Sequence, residues 1–174
     1  MLAEAGTGAP RRLRRLAWAL PLVAAAACQK LDPAAELAVG DIETYWAIDP
    51  SMHGTSYVAP VVRFQVINKG TQRLRSVEAR ARFWRKETPP VDWGGGGAFV
   101  ATWRKPLLPG KSVPLVLKSD GRYTSSGPPE EMLKNPDFRD ARAEIFLRIG
   151  ASRWAKVADV DIERRIGSRS VEAH

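Results

Sequence analysis

Apolar and polar residues alternate with a period of two in segment after segment of this chain, and clusters of turn-forming residues separate the segments. In "SVEARARFW", Val77, Ala79, Ala81 and Phe83 alternate with Glu78, Arg80, Arg82 and Trp84, the pattern of a strand with one buried and one wet face. "YVAPVVRFQVINKG" puts Val62, Phe64 and Val66 on one face and Arg63, Gln65 and Ile67 on the other, and "NKG" stops it. Pro60 near its start marks an edge strand or a bulge. "VGDIETYWAI" (39–48) is rich in β-branched and aromatic residues and ends at the turn-forming "DPSMHG". "AFVATW" (98–103) reads as a short strand, "KPLLPGK" as a turn, and "SVPLVLKS" (112–119) as a strand with Val113, Leu115 and Leu117 on one side. "ARAEIFLRIG" and "SRWAKVADVDIE" are two alternating runs joined at "IGAS", a hairpin. About seven strands without a long amphipathic helix predict an all-β, two-sheet antiparallel sandwich.

Two stretches lack this periodicity. "ETPPVDWGGGG" (87–97) reads as a flexible loop, because no Lys-Ser or Lys-Thr pair follows its glycines to make a phosphate cradle. Residues 120–140 hold "SSGPPEEMLKNPDF", in which Pro128, Pro129, Glu130 and Glu131 start a helical turn that Pro136 ends. A loop of about 20 residues without strong structure is commonly functional or disordered; on the functional reading, Tyr123 and Phe138 are its candidate partner-binding anchors. Trp84, on the polar face of its strand, and Trp93, in the glycine-rich stretch, are candidate partner contacts as well.

The first 27 residues follow a different logic. Arg11, Arg12, Arg14 and Arg15 stand against the single acid Glu4, and the apolar run Leu16–Ala27 that follows has 12 residues, including Pro21. A spanning helix needs about 20. A basic region before a short apolar one is an export signal, and the arginines orient everything after it outward. Ala25 and Ala27 fit an ordinary signal-peptide cleavage site, but Cys28, the one cysteine of the chain, closes the apolar run directly after small residues. That stretch resembles the lipobox of bacterial lipoproteins, with Ala25 where the family favours Leu. The resemblance implies that Cys28 becomes the first residue of the mature chain and carries a diacylglycerol thioether and an N-acyl chain. Two or more chains anchor stably where one is marginal. Gln29 after the cysteine is similar to the pattern of lipoproteins passed to the periplasmic side of the outer membrane. Residues 28–37 then read as a lipid-anchored tether, 38–166 as the sandwich domain and 167–174 as a frayed, disordered C-terminus.

Composition narrows the partners. The chain from Cys28 to His174 has 147 residues, enough for one domain. The formal charge of +8 comes partly from the leader, without which 23 basic residues face 18 acidic ones. Basic and acidic residues interleave in "SVEARARFWRKE" and "DVDIERRIGSR", so no nucleic-acid partner is expected. The expected partners are the membrane, through the lipid anchor, and another protein of the envelope.

Residues 62–117 carry "VRFQVINKGTQRLRSVEARARFW", an insert and "LLPGKSVPLVL". A strand ending in Asn and Gly, a strand led by Leu and Val, and Leu-x-Pro-Gly before the next resemble the FxLYD-like and related immunoglobulin-like modules of bacterial envelope proteins. The resemblance implies a binding or adaptor domain. "RKETPP" stands where that family has an acidic residue and glycine, and the terminal hairpin lies outside the match.

No reaction is proposed from the sequence. Asp49, Ser51 and His53 lie in one loop without the geometry of a nucleophile and base. Asp159 and Asp161 share a strand face and read as its solvated side, and Arg164 and Arg165 as a solvated strand end. No metal and no cofactor are expected. The leading expectation is a lipid-anchored adaptor lipoprotein, accessory to a transport or assembly complex. The alternative is a carrier that holds a lipid-like molecule in a cavity between the sheets.

Overall fold

The computed structural model describes residues 31–50, 56–125 and 127–167. Asp32 opens the chain's first element: its carboxylate accepts from the Ala34 amide at 3.0 Å, and with Pro33 at the next position it starts one helical turn, α1 (Pro33–Glu36). Strands β1 (Leu37–Pro50) and β2 (Ser56–Asn68) form a long antiparallel pair, followed by β3 (Val77–Arg85), β4 (Val91–Ala101), β5 (Ser112–Lys118) and the short β6 (Tyr123–Ser125). A second short helix, α2 (Pro129–Lys134), precedes the hairpin of β7 (Ala141–Ile149) and β8 (Ala155–Asp161). Among the described residues no helix is long and apolar enough to cross a membrane.

The strands form two antiparallel sheets. One runs β1-β2-β5, with β6 also paired to β2 beyond the end of β5, and the other runs β4-β3-β7-β8. The chain crosses between sheets after β2, after β4 and after β6, giving an immunoglobulin-like sandwich of eight strands among the described residues; the short β6 exceeds the seven or so expected. Alternation sets the packing. Across β3 and β7, Ala79 faces Leu147, Ala81 faces Ile145 and Phe83 faces Ala143, so each large inward side chain meets a small one and the layer stays even. These side chains, with Val58, Val62, Phe64 and Val66 of the other sheet, are fully buried, and each large one contributes roughly 1.5–3 kcal/mol.

Pro60 does not lie at an edge, since β2 is the centre of its sheet. Opposite it, Trp46 turns its own backbone outward: its N–H donates to the Arg165 carbonyl at 2.8 Å and its C=O accepts from Gly167 at 3.0 Å. Pro60 therefore owes β1 no N–H, and its other flank falls in the break of the ladder between Lys118 and Tyr123. Residues 165–167 cover the free edge of β1, which takes Gly167 out of the expected frayed end.

Three other expectations are corrected. Residues 87–90 are the loop expected, but 91–97 are not, because β4 begins at Val91 and contains all four glycines. A Cβ at Gly95 would strike the Ala81 carbonyl oxygen of β3, and one at Gly96 would lie 2.9 Å from the Lys118 carbonyl oxygen of the opposite sheet. Side chains are excluded there because β4 runs between two backbones, and Gly94 takes φ +79° where the register shifts between Arg82 and Trp84. Residues 32–37 belong to the domain and not to a tether: Pro33 and Leu37 are buried, and Leu31 packs against the core. Residues 120–140 are not free, since β6 and α2 fasten them to the sandwich.

Candidate functional site

At the end of the sandwich where β1 finishes and β7 begins, four rings meet. Trp46, fully buried in β1, has Phe138 at 4.8 Å, Tyr123 at 5.9 Å and Trp93 at 6.0 Å between ring centroids. Tyr123 also lies 4.7 Å from Trp93 and 4.9 Å from Phe138. Edge-on and tilted pairs of this kind add about 0.5–1.5 kcal/mol each beyond their buried area. Three of the four predicted partner contacts, Trp93, Tyr123 and Phe138, are thus brought together, but their rings face one another and Trp46. Phe138 is 5% exposed, which corrects its reading as a surface anchor.

Polar links fix the cluster. The Tyr123 hydroxyl donates to the Arg139 carbonyl at 3.1 Å, and burial pushes its phenol above the ordinary value against the opposing influence of Arg85 and that hydrogen bond. Ser119 donates its hydroxyl to the Trp93 carbonyl at 2.5 Å, and the Gly121 amide donates to the same carbonyl at 3.1 Å. Arg164 clamps the segment from outside: its guanidinium donates to the Leu133 and Phe138 carbonyls and forms an ion pair with Asp140 at 2.6 Å. Read from the sequence as a solvated strand end, Arg164 is instead the fastener of α2, a role that depends on a contact 24 or more residues away and left no local signal.

Trp84 lies elsewhere, on the outer face of the β4-β3-β7-β8 sheet. Its indole N–H donates to Glu144 Oε2 at 3.0 Å, and the Arg82 guanidinium stacks over the ring at 4.2 Å. Glu144 also accepts from Lys156 at 3.1 Å. Burial would raise the Glu144 carboxyl, but the hydrogen bonds from Trp84 and Lys156 and the charges of Lys156 and Arg142 outweigh it, so the group titrates below its ordinary range. Farther along the same face, both oxygens of Glu78 accept from Arg148 at 2.7 Å, and Arg148 stacks on Trp154 at 4.6 Å. Asp159 is paired with Arg142 and Lys156, and Asp161 with Lys86, consistent with their expected place on a solvated face.

Phe99 is 70% exposed on β4, in register with Glu78 and so on this outer face. Trp103, in the turn after β4, is 73% exposed with Arg75 stacked at 4.0 Å. Neither was singled out from the sequence, where "AFVATW" reads as an ordinary strand. The signal was the position of Phe99 between Ala98 and Val100 on the polar phase of that strand. Cys28 and His53 lie outside the described residues.

No family model matches the chain, and no curated protein matches it. Among solved structures it is similar to one titled "X-ray structure of Northeast Structural Genomics Consortium target SoR45", at 9% identity over 82% of this chain and 97% of that one, with a TM-score of 0.38. A likeness of that size carries no argument about function.

Proposed function

We propose that this protein is a lipid-anchored binding module of the bacterial envelope, held at the membrane through Cys28 and engaging another envelope protein without chemistry of its own. The observation that carries the reading is the placement of the lone cysteine. It closes an arginine-led apolar leader, and the packed domain resumes at Leu31, three residues later. Gln29 favours the periplasmic side of the outer membrane as its residence. The adaptor reading is favoured over the carrier because Trp46, Phe64, Phe83 and Ile145, each fully buried, occupy the space between the sheets. The outer face of the β4-β3-β7-β8 sheet suits a protein partner: Phe99 protrudes from it, and the ion-paired arginines around Trp84 and Trp154 hold both indoles in place beforehand.

Two experiments test this. Cys28→Ala is expected to move the protein from the membrane fraction to the soluble one, and unchanged fractionation counts against the anchor. A photocrosslinking residue at Phe99 or Trp84 is expected to give a discrete adduct in whole cells, while one at Tyr123 gives none. The opposite pattern would return the partner site to the 120–140 segment.

A further inference from the structure

The two ends of the sandwich carry different charge. At the end where β2 passes to β3, three connections lie side by side: residues 69–76, 102–111 and 150–153. Leu74 and Leu107 exchange backbone hydrogen bonds at 2.8 and 3.0 Å, the buried Asn68 side chain donates to the Gln72 and Leu107 carbonyls, and the Gly150 amide donates to the Ser76 carbonyl. These connections contain Lys69, Arg73, Arg75, Arg104, Lys105, Lys111 and Arg153 and no Asp or Glu, the acids beside them being Asp32 and Glu36 at the two ends of α1. All seven cations are exposed, and none forms an ion pair among the described residues. At the far end the connections are mixed, with Glu87, Asp120, Glu130, Glu131, Asp137 and Glu163 among their acids.

The basic end also shows apolar tips, Trp103 at 73% and Leu108 at 45% exposure. Its third feature is the start of the domain. Leu31, Asp32 and Pro33 line one groove with Ser152 and Arg153, and the Lys69 amide donates to the Glu36 carbonyl at 3.0 Å. Cys28 precedes Leu31 by three residues, which span at most about 10 Å when fully extended. That is close to the Debye length of about 8–10 Å at physiological salt.

From these three observations we infer that the end formed by residues 69–76, 102–111 and 150–153 docks on an anionic lipid surface. Lys and Arg face the headgroups, and Trp103 and Leu108 enter the interfacial zone, where an amphipathic ring is favoured. The inference rests on the anchoring reading above for its geometry, because a lipid at Cys28 leaves no other end of the domain within reach of the bilayer. Docking would fix the domain's orientation, holding the aromatic cluster at the far end, away from the membrane.

Hydroxyl-radical footprinting of the full chain tests it, read by mass spectrometry at Trp103 with Phe99 as the reference. The chain is mixed with vesicles of phosphatidylcholine alone or of phosphatidylcholine with phosphatidylglycerol. Trp103 is expected to be protected on the anionic vesicles only, while Phe99 stays reactive on both. Raising salt from about 0.1 M to 1 M, which shortens the Debye length from about 10 Å to 3 Å, is expected to restore Trp103 reactivity. Each cation near an anionic leaflet is worth about fivefold in partitioning, so Arg104→Gln with Lys105→Gln is expected to lower the partition constant for docking by about 25-fold. Both side chains are exposed and unpaired, so the variant keeps its fold. Trp103 equally reactive on both vesicles, in a chain that still pellets with them, would overturn docking while leaving the anchor intact. The same protection in Cys28→Ala would uphold docking although the anchor is gone. Protection by soluble heparin but not by vesicles would overturn the inference in favour of an acidic macromolecule.

Discussion

Phe138→Ala asks directly whether residues 120–140 are part of the folded unit or a loop that waits for a partner. The ring is almost fully buried, 4.8 Å from Trp46 and 4.9 Å from Tyr123, with the Arg164 guanidinium 5.4 Å from its centre. Deleting a packed Phe ring costs about 3–5 kcal/mol in lost transfer energy and residual cavity. Two ring pairs and a cation contact disappear together, which places the loss near 4 kcal/mol, a large share of the roughly 5–15 kcal/mol that holds a domain together. With a urea slope of about 2 kcal/mol/M, the unfolding midpoint falls by about 2 M. Tryptophan fluorescence reads the transition, because Trp46 and Trp93 are in the cluster itself. Tyr123→Phe, which keeps the ring and removes the hydroxyl with its hydrogen bonds to the Arg139 carbonyl and to Arg85, should cost about 0.5–1.5 kcal/mol. A midpoint shift below about 0.5 M for Phe138→Ala would correspond to about 1 kcal/mol or less and would refute the docking of this segment.

Asn68→Ala removes two donors and the acceptor that takes the Gly70 amide at 3.0 Å, taking from the Gln72 carbonyl its side-chain donor and leaving the Leu107 carbonyl with the Leu74 amide alone; a loss of about 2–4 kcal/mol in urea titration is expected. Gly95→Ala drives a methyl into the Ala81 carbonyl and should cost about 1–3 kcal/mol, whereas Gly97→Ala, whose Cβ would sit 3.4 Å from the Ala79 oxygen, should stay within about 1 kcal/mol of wild type. Equal effects of the two would contradict the close passage of β4. The lowered Glu144 carboxyl contributes stability that is full above the ordinary carboxylate range and is lost as pH falls through its folded value. Thermal melts from about pH 6 to pH 2 should therefore show a shallower acid-side decline for Glu144→Gln than for wild type, and parallel curves would contradict that assignment.

The strands that were legible in the sequence are those whose partners lie close along the chain or whose alternation is clean. Val77 to Phe83 and Ala141 to Leu147 each show their buried face directly, and Gly150 at φ +52° closes the hairpin that "IGAS" announces. The glycine run was misread because glycine's local meaning is a turn, while its meaning here is set by Ala81 and Lys118 on two neighbouring strands. Leu37 was assigned to the tether because a short Pro-bearing segment looks like a linker until Asp32 is seen capping a helix against the domain. Trp93, Tyr123 and Phe138 read from the sequence as contacts for a partner, because nothing local shows that they face Trp46 and one another. Exposure at Phe99 and Trp103 depended equally on what tertiary packing left uncovered.

The anchor is tested most directly by the intact mass of the protein extracted from membranes of the cell that makes it. Lipidation predicts a chain that begins at Cys28 and exceeds the mass of residues 28–174 by a diacylglyceryl group and an acyl chain. A species that still carries Arg11 to Arg15 and a thiol free to react with maleimide would contradict it.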